Sequence, residues 1–64
     1  MSQRTLASDA ADEAFKDGLK QVFSVLTQNL IAGDSDAESK AAEGIKLCQK
    51  TLDVFKGLIA NLPN

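Results

Sequence analysis

Three carboxylates alternate near the middle of the chain as Asp34-x-Asp36-x-Glu38, a spacing that invites comparison with a calcium loop. Such a loop needs Gly at its sixth position for a sharp bend and Glu at its twelfth as a bidentate ligand. Counted from Asp34, those positions hold Ser39 and Ile45. The three acids therefore read as turn and cap, and no metal site is expected. Cys48 is the single thiol, and the chain has no His. A His-based triad or a thiolate–imidazole zinc site cannot be assembled within such a chain, and one cysteine forms no internal disulfide. Cys48 falls between Ile45 and Leu52 on an apolar stripe, where a thiol acts as a small hydrophobe. With no nucleophile–base pair and no converging acids, the chain reads as a non-enzyme with no cofactor.

The basic residues offer a second chemistry, nucleic-acid binding, and their spacing argues against it. Lys16, Lys20, Lys40, Lys46, Lys50 and Lys56 are interleaved with acids, as in Asp12/Lys16, Asp17/Lys20, Glu43/Lys46 and Lys50/Asp53. Pairs at these separations make solvated helix faces. No aromatic side chain lies among them to stack a base, and the net charge is −2, the wrong sign for a polyanion partner. Asn29 is the remaining polar oddity. It projects towards an otherwise apolar helix face, where it fixes register, satisfies a loop carbonyl, or contacts a partner.

These residues need elements to hold them, and the punctuation is simple. Gly33-Asp34-Ser35-Asp36 separates two arms of similar length. Gly33 suits the left-handed position that ends a helix, and Ser35-Asp36-Ala37-Glu38 matches the S-x-x-E capping box. Ser8 or Asp9 can cap the first arm, with Asp12 and Glu13 in its opening turn. Asn61 and Pro63 close the second. The expected organisation is a flexible leader over 1–7 and one helical hairpin over 8–64. Within the hairpin, helices run over about 9–32 and 36–61 around a turn at 33–35. The fold class is all-α, an antiparallel two-helix hairpin.

Apolar spacing supports both arms. Ala41, Ile45, Cys48, Leu52, Phe55, Ile59 and Leu62 advance by alternating steps of four and three, a coiled-coil seam. Phe15, Leu19, Val22 and Leu26 keep the same steps, and Leu30 follows. Folding at the turn sets Leu30 on Ala41, Leu26 on Ile45, Val22 on Cys48, Leu19 on Leu52 and Phe15 on Phe55. The expected hairpin core is therefore Phe15, Leu19, Val22, Leu26, Ile45, Cys48, Leu52, Phe55 and Ile59. Gly18, Gly44 and Gly57 interrupt the helices, either permitting close approach of the two arms or merely tolerated there.

The apolar arcs are wider than a hairpin can cover. Leu47, Val54 and Leu58 form a second stripe on one flank of the second arm, while Phe23 and Leu30 on one side and Val25 on the other widen the first. Burying one Leu or Phe is worth roughly 1.5–3 kcal/mol, so this surplus rivals the whole stability of a small domain. The expectation is an interface made of Phe23, Val25, Leu30, Leu47, Val54 and Leu58. A homodimer, giving a four-helix bundle, is its simplest partner. In outline the chain resembles two unrelated groups of small hairpins: Rop-like proteins, which dimerise and bind RNA, and needle-subunit co-chaperones of type III secretion. The likeness is one of architecture, with no motif shared residue by residue.

The function expected is a protein–protein interaction module, an adaptor or assembly factor. A co-chaperone shielding another protein's amphipathic helix is one alternative, and a Rop-like regulator binding nucleic acid is another. No apolar run approaches the roughly 20 residues of a membrane span, and Met1-Ser2-Gln3-Arg4 lacks a signal-peptide core. A cytoplasmic location is expected.

Overall fold

The computed structural model describes residues 2–63. Two helices pack against each other, α1 (Gln3–Ile31) and α2 (Ala37–Ile59), and no strand is present among the described residues. The Cα trace is a flat rod of 49 × 17 × 7 Å, one helix thick. Among the described residues no helix is long and apolar enough to cross a membrane.

The first helix starts earlier than its sequence signals suggest. Ser2 is the N-cap, its hydroxyl accepting a 3.2 Å hydrogen bond from the Thr5 N–H, so residues 3–7, expected as a flexible leader, are helical. Ser8 and Asp9, the expected caps, lie inside the helix. A long-range contact explains the extension. Arg4 Nε donates to the Leu62 carbonyl at 2.8 Å and its Nη2 to the Ala60 carbonyl at 3.1 Å. A cation thus meets the unpaired carbonyls at the end of α2, where the helix dipole favours it. The ends of the expected leader and hairpin, residues 1 and 64, lie outside the described residues.

The turn follows the expected glycine but not the expected cap. Gly33 has φ +78°. Its N–H donates to Leu30 O at 3.1 Å, and the Asp34 N–H donates to Asn29 O at 3.0 Å. This pair of bonds is the Schellman arrangement, which a residue without Cβ enters most cheaply. The Ser35/Glu38 capping box does not form. Asp36 occupies the N-cap of α2 without a side-chain cap, and Asp34 Oδ1 instead accepts from the Asp36 N–H at 2.8 Å. Aspartate closes such a turn by bonding the backbone two residues on. At its far end α2 loosens over Ala60–Leu62 into short turns, with Asn61 N–H donating to Leu58 O and Leu62 N–H to Ile59 O.

The helices meet through small residues, in a register one turn away from the expected one. A Cβ on Gly18 would stand 3.0 Å from Cys48 Sγ, and one on Gly44 would stand 3.0 Å from Val22 Cγ2. Val22 therefore faces Gly44, and Cys48 faces Gly18, where the heptad pattern pairs Val22 with Cys48. Two glycines on the seam let the backbones approach closely, and that approach sets the register. It also displaces Ile45 and Phe55 from the expected core, leaving them 49% and 42% exposed. Phe15, Leu19, Val22, Leu26, Cys48 and Leu52 are half-buried, and Ile59 is buried at 8% exposure. Among the described residues the only others buried are Ala11 and Ala37, and no large side chain is fully enclosed.

Candidate interaction surface

Close contact between two rods leaves a furrow along the line where they touch. On one face of the hairpin this furrow is a groove of about 370 Å³. Its α1 wall is mostly small, Ala10, Ala11, Ala14 and Gly18, but includes Phe15, and its α2 wall carries Leu47, Leu52 and Phe55 beside Cys48 and Thr51. The exposed part of the α1 wall is Ala10 and Ala14, next to half-buried Phe15, and the α2 wall is the bulkier of the two. A second depression of about 280 Å³, lined by Val25, Asn29 and Lys40 among others, adjoins the first at Gly18 and Cys48. The main groove has no charged residue in its lining, and the Thr51 hydroxyl on its floor donates into its own helix, to Leu47 O at 2.7 Å. Such a surface has no means of gripping a polar ligand; it fits apolar side chains.

The expected interface residues are all exposed, and they divide between two faces. Leu47 is 63% exposed; Val54 and Leu58 continue its stripe at steps of seven and four, similarly open to solvent. Val25 lines the adjoining depression. Phe23, 72% exposed, belongs elsewhere. At about 100° per residue it lies roughly 200° round α1 from Val25, on the opposite face. Leu30, seven residues on, shares that face, and Ile45 is set off from Leu47 by the same rotation. The one interface expected from these six residues is thus two patches. One runs along the groove, and one lies behind it towards the turn. Two further exposed apolar residues, Leu6 and Ile31, extend the unburied surface. Leu6 gives no sequence signal of this kind because residues 1–7 carry no cap at the expected place.

Asn29 is half-buried at the turn end of the seam, and its backbone carbonyl accepts the Asp34 N–H noted above. Its neighbour in the adjoining depression, Lys40, sets its Nζ 2.6 Å from Asp34 Oδ2. The hydrogen bond from Lys40, followed by that from the Asp36 N–H, holds the Asp34 carboxyl below its ordinary value, and the same bond raises Lys40. Asp34 and Lys40 therefore form a local clasp across the turn. Three other lysines also have acids nearby. Lys56 Nζ is 3.4 Å from Asp12 Oδ1 on the facing helix, while Lys20/Asp17 and Lys46/Glu43 stand at 4.0 Å. Asp12 is drawn across the seam instead of to Lys16. Asp53 accepts from Gln49 Nε2 at 3.1 Å, in place of its expected partner Lys50. Among the described residues no three Cys, Asp or Glu side chains gather as a metal cage. Comparison with protein-family models, with curated proteins and with solved structures finds no match.

Proposed function

We propose that the chain is a small, non-enzymatic, cytoplasmic helical module for protein–protein interaction that works as a homodimer. The observation carrying this reading is that the lone hairpin encloses no large side chain among the described residues while presenting an uncharged groove flanked by Leu47, Val54 and Leu58. Area gives the scale. Compact monomers of 6.8 kDa expose about 4,000 Å² by the usual mass scaling, whereas this chain exposes 4846 Å². The excess is close to the roughly 800 Å² that each partner buries in a standard interface. The patch behind the groove, centred on Phe23, Leu30 and Ile45, then serves a different protein, whose amphipathic helix is the natural ligand for an apolar helical face.

Two variants test the division of labour. Leu47→Asp with Leu58→Asp places charge on the groove face and should convert the dimer to monomer on size exclusion. Phe23→Ser should leave the dimer intact. Loss of the dimer in Phe23→Ser, with none in the aspartate double variant, would reverse the assignment of faces. A second reading, a co-chaperone holding a client helix, draws on the same open groove. It predicts that the free chain stays monomeric and binds the hydrophobic dye ANS until an amphipathic helix is supplied.

A further inference from the structure

The groove is asymmetric in a way that selects how two copies meet. The exposed α1 residues Ala10 and Ala14 line the same stretch of it as Leu52 and Phe55 of α2, with Phe15 half-buried beside them, so small and large groups sit at one height along the rod. Two arrangements bring the groove faces of two hairpins together. With a two-fold axis perpendicular to the helices, α1 lies on α1 and α2 on α2. That axis also reverses height along the rod, so Ala10 and Ala14 meet their own counterparts, leaving voids, when it crosses the groove, and the two rods then overlap over only part of their length. With the axis parallel to the helices, each α2 lies over the partner's α1 at unchanged height. The large side chains of each copy then enter the alanine trough of the other. Alternating large and small groups across a contact is what close packing requires, and an isologous interface makes the fit occur twice.

We propose that the groove is filled by a second copy about an axis parallel to the helices, so that both turns lie at one end of a four-helix bundle. This rests on the homodimer reading above and adds its topology. Neighbouring helices are then antiparallel both within each hairpin and across the groove. The Asn29–Lys40 ends of both copies come together beside the two turns.

Spin-label distances decide it. Ser35 in the turn and Gln3 at the far end of the rod are both exposed. Each is replaced by Cys in turn, in a Cys48→Ala background whose helicity is checked by circular dichroism. Double electron–electron resonance at each position should give a short separation, within about two interhelix spacings or roughly 20 Å. Two positions at opposite ends keep the test valid if one variant folds poorly. Dimers with a separation well beyond this at either position would overturn the topology and leave the homodimer standing. A species larger than a dimer would also overturn it. A folded monomer would remove both this proposal and the reading beneath it.

Discussion

At the scale of the residue, three glycines in similar helical settings have different work, and space around each decides its substitution. A Cβ at Gly57 would meet nothing within 4 Å, so Gly57→Ala should stabilise the fold by about 0.5–1 kcal/mol through helix propensity. Gly44→Ala offers the same propensity but drives its methyl into Val22, whose branched side chain has little rotamer freedom. It should destabilise by roughly 1–3 kcal/mol, as overpacking does, and Val22→Ala should recover most of that. Urea unfolding at one fixed protein concentration measures all three, since association contributes to apparent stability. The Asp34–Lys40 clasp gives a pH signature. Asp34 is held below its ordinary value, so its contribution is complete above the usual carboxylate range and is lost as pH falls through the lowered value. Lys40 is raised, so its contribution is complete below the usual lysine range and is lost as pH rises through the raised value. Lys40→Met should flatten both limbs of the thermal stability profile against pH. The effect should be small, because the clasp is open to solvent and screened.

At the scale of the element, the sequence announces two helices, one turn and their antiparallel pairing, because caps and apolar periodicity are local signals. Gly33 is legible as a left-handed stop for the same reason. The register is not, since it depends on which residues permit the closest approach. Heptad reading favours large apolar side chains, so it places Ile45 on the seam, whereas backbone contact favours Gly44 beside it. The groove residues Leu47, Val54 and Leu58 are legible as surplus, and so is the separation of Phe23 and Leu30 from Val25; which of the two sides shares a face with Leu47 depends on the seam's position and needs the structure. The role of Arg4 is hidden for another reason. Its partners, the carbonyls of Ala60 and Leu62, lie 56 and 58 residues away, and no local pattern marks such a contact. Arg4→Ala should cost roughly 0.5–1 kcal/mol, as an exposed charge-assisted bond. Hydrogen exchange should quicken selectively at the first turns of α1 and the last turn of α2. Uniform exchange across the hairpin would contradict this capping role.

At the scale of the whole molecule, a rod one helix thick encloses no large side chain among the described residues. Seam burial by alanine, glycine and half-buried aliphatics contributes less than a closed core, and a chain this short has no disulfide to compensate. Stability should therefore come largely from association, so the midpoint of thermal unfolding should rise with protein concentration. Filling the trough with Ala14→Trp should abolish that dependence and lower the helical circular dichroism, at every concentration, to that of the diluted unaltered protein. The central claim, that the hairpin completes its core with a second chain, is tested most directly by sedimentation equilibrium of the unaltered protein across the micromolar range. The account predicts a mass twice the 6.8 kDa of the chain, dissociating only on dilution and with loss of helix. A single species of 6.8 kDa that stays fully helical at every concentration would contradict it.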